Sequence, residues 1–332
     1  MRRILPAAIV ALAVAVPADA RSRNSDEPNV EERLEAPLVR SASRYAVYQS
    51  DVSGLEEAPV ASAEDIDVAL ETISRHDPDA LTQSWMAYGS LIAAQSPSFV
   101  DGVREVADYY GRDAVIAGMR NDFSYAAQIQ GADAARSSIL STVSAETARL
   151  SAISEILTDH AYEIVDEDWA KGVSRDGQAR IAHLDEVALT PREASIELLT
   201  SLAAPGAVGS DRMNDRTAEV RANFWSAFRL GPGTAHAGTP APEIRANPVY
   251  RPVVDQMITL AAFEALNAAN SSDAMSLSPL MQQPDTQTCM IMARLHFQQC
   301  VAAAHYRYED PFCIAEHGVA DVGDCFSQVL AQ

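Results

Sequence analysis

The sequence has a single lysine, Lys171, and only 6% aromatic residues. Asp and Glu outnumber Lys and Arg by 46 to 25, so the formal net charge is −21. A protein this negative repels phosphate backbones and anionic lipid headgroups. Because no run of five or more like charges forms a separate arm, the composition argues against nucleic acid as a partner.

The chain also lacks the short motifs that carry common chemistries. It contains no C-x-x-C pair, no glycine-rich phosphate loop, no G-x-S-x-G element, no H-E-x-x-H element and no EF-hand loop. Nor does any stretch alternate apolar and polar residues with the period of two that is typical of strands. We therefore expect almost no β-sheet, and no motif points to a cofactor.

The only long apolar run lies at the start of the chain. Two arginines precede the apolar residues 4–16, and residues 17–20 end in an A-x-A pattern. This order predicts a secretory signal peptide over 1–20. The run is shorter than the roughly 20 residues that span a bilayer, so no transmembrane segment is expected after cleavage. A periplasmic or secreted location, where disulfides persist, follows from this prediction.

Helix start signals and helical periodicity predict an all-α fold, an array of about ten helices. Residues 21–61 are acidic and interrupted by proline, which predicts a mostly flexible leader with a short helix over 39–50 that docks on the body. Residues 62–205 carry repeated N-cap and proline signals of a helical domain. Residues 206–284 are expected to continue the array with loops, and residues 285–332 to form an α-hairpin.

Several helix boundaries follow from local signals. A capping box predicts a helix over 190–203, and Asn247–Pro248 predicts one over 247–270. Another helical pattern covers 211–229. Asp285 and Asp310 stand where the N-caps of the two hairpin helices are expected.

The longest periodic segment is 132–167, whose apolar residues recur at the four-three spacing of a helix–helix seam. Glu146 and His160 are the polar exceptions in this seam. Each is a candidate for proton sensing or acid/base chemistry, because an ionisable group in an apolar seam has an altered proton affinity. They lie about 21 Å apart along the helix, so they cannot act on one another. The alternative is that each contacts an Arg, Tyr or Asn side chain of a neighbouring helix.

All four cysteines, Cys289, Cys300, Cys313 and Cys325, lie in the last 45 residues. The first two share one helical pattern and the last two share the next. Eleven residues of helix span about 16 Å, and a disulfide joins Cα atoms about 4.4–6.8 Å apart, so neither helix can close a bridge within itself. In an antiparallel hairpin, the residue numbers of two facing residues add up to nearly the same total for every facing pair. This rule predicts Cys300–Cys313 and Cys289–Cys325 as nested bridges.

The same register places His296 opposite His317, with Asp321 one turn further along the second helix. Two imidazoles and a carboxylate on adjacent turns could hold zinc or copper. The alternative is a histidine pair that packs on itself or caps a carbonyl. The residues therefore give a candidate metal site, but not an assigned cofactor.

The three consecutive residues Leu280, Met281 and Gln282 lie further along the chain from Glu264. This arrangement resembles the catalytic elements of the secreted all-helical lytic transglycosylases, although Ala265 stands where that family has a serine. The resemblance implies a cell-wall glycan hydrolase in which Glu264 is the catalytic acid.

Three functions remain open at the level of sequence. The leading hypothesis is a non-catalytic structural or interaction role in the cell envelope, with an envelope protein as partner. The alternatives are the glycan hydrolase that uses Glu264 and the metal-binding module that uses His296 and His317.

Overall fold

The structure is a computed structural model that describes residues 34, 36–57, 60–174, 176–203, 245–269 and 277–330. These residues form eleven helices and, apart from two isolated β-bridges, no strand. The predicted all-α array of about ten helices is thus confirmed. The predicted signal peptide and the predicted helix over 211–229 lie outside the described residues.

The helices are, in chain order, α1 Pro37–Glu57, α2 Ala63–Ser74, α3 Pro78–Ala93, α4 Pro97–Tyr110, α5 Arg112–Asn121, α6 Ala132–Glu163, α7 Gly177–Ala188, α8 Ile196–Ala203, α9 Arg251–Ala265, α10 Pro284–Ala303 and α11, which comprises Asp310–Cys313, the π-helical turn Ile314–Ala320 and Asp321–Ser327. Among the described helices, none combines the length and apolar character that a membrane crossing requires.

Helix α1 is a central element of the fold. It packs most extensively on α3 and also contacts α6 and α8. Tyr45 and Tyr48 are each 1% exposed, and the row of buried α1 residues continues to Val52. The helix predicted over 39–50, which was expected to dock on the body, does pack there, but it is longer and covers Pro37–Glu57 of the predicted leader. Burial of these side chains by several helices stabilises a segment whose surrounding composition is polar.

Two helices near residue 190 differ from expectation. Helix α7 was not predicted, and α8 begins at Ile196 instead of within the capping box at 190–193. The Ser195 hydroxyl accepts a hydrogen bond from the Leu198 amide at 3.2 Å and so caps α8. The Thr190 hydroxyl and carbonyl instead accept from Arg75 of α2, which holds this residue in a tertiary contact.

The predicted seam of α6 is confirmed by burial. Ile139, Val143, Leu150, Ile153 and Leu157 are at most 3% exposed. The helix starts at Gly131, whose φ of 85° and close approach to the Phe99 backbone leave no room for a Cβ atom. Only glycine adopts this conformation without strain, so Gly131 sets where the longest helix begins.

The predicted helix over 247–270 is shorter in the structure, because α9 covers only Arg251–Ala265. Of the two expected caps of the hairpin, Asp285 lies in the first turn of α10 after the N-cap residue Gln283. Asp310 is not an N-cap: its buried carboxylate pairs with Arg180 of α7 at 2.7 Å. The Asp310 side chain thus forms a tertiary ion pair instead of the N-cap that the local sequence pattern predicts.

Candidate metal site

The C-terminal helices α10 and α11 form a hairpin that two disulfides hold together. Cys289 pairs with Cys325 across a Cα–Cα distance of 5.6 Å, and Cys300 pairs with Cys313 across 5.5 Å. These are the two nested bridges that the spacing predicted. Together they fix how far α11 can slide or rotate against α10.

The π-helical turn of α11 brings both of its cysteines to the same side. Cys300 follows Cys289 by eleven residues, which is about 20° beyond three full turns of α-helix. Cys325 follows Cys313 by twelve residues, which in a regular α-helix leaves the two cysteines about 120° apart. The wider turn over Ile314–Ala320 absorbs the extra residue. Because of it, both cysteines of α11 can reach α10.

His317 lies in this π-helical turn, and Asp321 immediately follows it. The Nδ1 atom of His317 is 2.8 Å from Oδ2 of Asp321, and the Nδ1 atom of His296 on α10 is 3.5 Å from the same oxygen. The two imidazole rings are 5.6 Å apart between centroids. The hairpin thus brings together the three side chains that the sequence nominated, at the register set by the disulfides.

One potential ligand atom from each of these residues lies within 4.8 Å of the other two. Among the described residues, this is the only such group of three His, Cys, Asp or Glu side chains. Ligand atoms of a tetrahedral zinc site lie about 3.4 Å apart, since the metal–ligand bonds are roughly 2.1 Å long. Small side-chain rotations would therefore bring all three ligands to bonding distance, with a further position open to water.

The site is accessible from solvent on one side. The His296 side chain is 46% exposed, whereas those of His317 and Asp321 are 24% and 27% exposed. Behind them, the Tyr48 hydroxyl of α1 donates a hydrogen bond to the Gly318 carbonyl at 3.1 Å. A Cβ at Gly318 would collide with Ile73, so α11 approaches α2 closely at this point. The second ligand helix is therefore supported by the core as well as by the disulfides.

Glu264, the residue expected to act in a glycan hydrolase, lies half-buried near the end of α9. Leu280 and Met281 are buried in a short 3-10 turn, Ser278–Met281, that packs on α9. The apolar side chains of this turn serve the hydrophobic core, as Leu280 is 3% exposed. Glu264 is not among the residues that line the cleft described below.

Glu146 and His160, the polar exceptions of the α6 seam, have different surroundings. Glu146 is 2% exposed, and its Oε2 accepts a hydrogen bond from the Tyr45 hydroxyl at 2.7 Å. Burial raises the pKa of Glu146 to about 7, although the Tyr45 and Tyr88 hydroxyls and the charge of Arg149 lower it. His160 is only half-buried and lies 3.8 Å from Glu163 on the same helix.

The network around Glu146 joins α6 to α1. The Gln49 amide donates to the Tyr45 hydroxyl at 2.7 Å, and Arg149 donates to the Gln49 carbonyl at 3.1 Å and to the Ser53 hydroxyl. All of these groups lie between packed helices rather than in a cleft. The arrangement is therefore suited to a structural contact between α1 and α6 that depends on the protonation of Glu146.

The sequence reasoning missed a group of arginines that converge on one cleft. They come from α1, from the end of α2 and from the segment between α7 and α8. Their positions are far apart in the chain and form no motif, so only the arrangement of helices shows that they are neighbours.

No protein-family model matches the chain, and the searches of curated proteins and of solved structures find no match either.

Proposed function

We propose that the protein is a non-catalytic metal-binding protein of an oxidising compartment, in which His296, His317 and Asp321 hold zinc or copper(II). The observation that carries the proposal is the clustering of three ligand atoms within 4.8 Å on two helices. Nitrogen and carboxylate oxygen are the ligand types that both metals accept. A site with three protein ligands also leaves one position for water or for a group from a partner.

The disulfides support this proposal in two ways. They hold the backbones of α10 and α11 in the register that aligns the ligands, which lowers the entropic cost of assembling the site. They are also the bonds of secreted and periplasmic proteins, because the cytosol keeps thiols reduced. The role proposed for the protein in the cell envelope is binding rather than catalysis.

The test is isothermal titration calorimetry of metal-free protein with zinc and, separately, with copper(II) at neutral pH. We expect one site, and loss of at least tenfold in affinity in both His296→Ala and His317→Ala. His183→Ala is the matched control, because His183 is also exposed and paired with a carboxylate, Glu71, at 2.9 Å. Its affinity for metal should equal that of the wild type.

Because protons compete with the metal for the ligand atoms, affinity should be weaker in acidic than in neutral solution. Absence of a one-site isotherm for both metals would refute the proposal. It would equally fail if the His183 variant lost as much affinity as the two triad variants.

An envelope protein partner is the second candidate function. Ile291, Met292 and Leu295 form an apolar row on the outward side of α10, and each side chain is more than 40% exposed. They lie within two turns of His296, so a partner that covers them would also contact the metal site. Affinity capture from envelope extracts, with wild type and an Ile291→Gln/Leu295→Gln variant, tests this: a specific partner should be lost in the variant.

A further inference from the structure

A cleft opens between α1, the N-terminal part of α3 and the segment that joins α7 to α8. It consists of two neighbouring cavities of about 190 and 390 Å³, which share Arg44, Ala80, Pro191 and Arg192 in their walls. We call the two together the arginine cleft. The larger cavity falls within the range of about 300–1,000 Å³ that is typical of small-molecule sites, and the smaller one extends it.

The balance of charged residues in this cleft is opposite in sign to that of the whole chain. Four arginines line it, Arg40, Arg44, Arg75 and Arg192, together with the single imidazole of His76 and the two carboxylates of Asp77 and Glu193. In the whole chain acidic residues outnumber Lys and Arg by 46 to 25. A pocket in which arginines outnumber carboxylates is thus a local reversal of a strongly negative background.

Arg192 is held in place by a buried acid. It pairs with the carboxylate of Asp51 on α1, whose side chain is 1% exposed and whose other oxygen lies 3.0 Å from Nε2 of His76. The remaining guanidinium nitrogens of Arg192 make no hydrogen bond to a described residue, and its side chain is 57% exposed. One end of the guanidinium is therefore anchored while the rest faces the cleft.

Arg44, on α1, also lines the cleft. It is exposed, and no hydrogen bond or ion pair joins it to any residue of the described chain. Arg75, in contrast, is committed to the Thr190 carbonyl at 3.1 Å, the Thr190 hydroxyl at 3.0 Å and Glu71 at 3.5 Å. Arg75 is thereby occupied by contacts within the protein, whereas Arg44 and the outer part of Arg192 can contact a ligand.

We propose that the arginine cleft binds a small anionic ligand through a carboxylate or phosphate group held between Arg44 and Arg192. The planar guanidinium presents paired N–H donors that match the oxygens of either group. The anchoring of Arg192 by Asp51 reduces the ordering cost of binding. The overall charge of −21 disfavours extended polyanions, so the ligand is a small molecule rather than a nucleic acid.

The experiment is calorimetric titration of metal-free protein with inorganic phosphate and, separately, with succinate. Stripping the metal excludes anion binding by an ion at His296 and His317, which keeps this test independent of the proposed metal site. We expect saturable binding of at least one anion, and a loss of about tenfold or more in affinity in Arg44→Gln and in Arg192→Gln. Circular dichroism of each variant confirms that the helices are intact.

The matched control is Arg104→Gln, since Arg104 is an exposed arginine of α4 outside the cleft. It should leave affinity within about twofold of wild type, the size expected of a change in net charge alone. Binding of phosphate only, or of succinate only, identifies the ligand group. The proposal is overturned if neither anion binds at about 10 mM, or if Arg44→Gln weakens binding no more than Arg104→Gln does. Because Arg44 is exposed and unpaired in the described structure, its variant should fold even if Arg192→Gln does not.

Discussion

The C-terminal hairpin and the contact between α1 and α6 position polar side chains by opposite means. In the hairpin, two disulfides hold α10 against α11, and the triad of His296, His317 and Asp321 stays partly exposed. Between α1 and α6 there is no covalent link, and Glu146 is held by burial and by the Tyr45 hydroxyl.

The difference concerns what each arrangement does to the ionisable groups. A carboxylate that is buried loses hydration, and the pKa of Glu146 is accordingly raised to about 7. The hairpin triad avoids this cost because its side chains stay partly exposed, while the disulfides and the core contacts of α11 hold the backbone in register. Its imidazoles and carboxylate therefore remain accessible to a metal ion from solvent.

The largest effect is expected from removing the central tyrosine of the noncovalent contact. Tyr45→Ala deletes a ring whose centroid lies 4.9 Å from Tyr88 and 5.3 Å from Phe326, and it also leaves Glu146 without its donor. We expect a loss of about 3–5 kcal/mol in unfolding free energy, measured by urea denaturation. Tyr45→Phe, which keeps the ring, should lose only about 1–3 kcal/mol; equal losses in the two variants would mean that packing is not what holds this region.

Removal of the outer disulfide should have the next largest effect. Cys289→Ala/Cys325→Ala opens a 36-residue loop, and the chain-entropy model gives about 4 kcal/mol for this bridge, against about 3 kcal/mol for the 13-residue loop of Cys300–Cys313. The melting temperature should fall while the helical circular dichroism signal remains. Metal affinity should fall as well; unchanged affinity would show that the core alone positions the triad.

The pH dependence of stability should come from the buried carboxyl. With its pKa raised from 4.5 to about 7 in the folded state, Glu146 binds its proton more tightly folded than unfolded. Its favourable contribution is therefore complete below about pH 4.5 and is lost as the pH rises through 7. The loss is at most about 3.5 kcal/mol, because each tenfold difference in proton affinity between the two states corresponds to about 1.4 kcal/mol.

Glu146→Gln removes this titration and so should flatten the stability curve between pH 5 and 8. Denaturation midpoints at several pH values, compared with those of wild type, provide the measurement. Glu155→Gln, an exposed glutamate of the same helix, is the control and should leave the curve unchanged. A wild-type stability that does not change between pH 5 and 8 would mean that folding does not alter the proton affinity of Glu146.

The smallest effect is expected at the hairpin triad itself. Without metal, His296→Ala should change the unfolding free energy by about 0–1 kcal/mol, because an exposed ion pair contributes little. With zinc at 100 times its dissociation constant, the wild type should gain about 2.7 kcal/mol and the variant much less. Thermal melts with and without zinc measure the stability of each variant and its gain from the metal. A large loss of unfolding free energy in the metal-free variant would mean that the triad itself stabilises the fold.

The hairpin could be predicted from sequence because its constraints are local and strict. Disulfide geometry and helical rise leave one nested pairing of Cys289, Cys300, Cys313 and Cys325, and the structure confirms it. The same register brought His296 to His317. The π-helical turn was not predicted, although the unequal cysteine spacing of eleven and twelve residues already required some adjustment of phase.

Elsewhere, local signals were overridden by tertiary contacts. The 190–193 segment has the pattern of a capping box, yet Arg192 binds Asp51 and Thr190 binds Arg75, and the helix starts at Ile196. Asp310 has the pattern of an N-cap, yet its carboxylate pairs with Arg180. In each case an ion pair or hydrogen bond to a distant residue replaced the local cap.

By itself, the sequence determined the helical class, the seam of α6 and the disulfide register, because helical periodicity and bond geometry depend on residues close in the chain. Only the tertiary structure decided that α1 is buried at the centre, that Glu146 meets Tyr45, and that Arg44 and Arg192 share a cleft. These contacts join residues about 100 or more positions apart. Their formation depends on how whole helices pack, which no local pattern encodes.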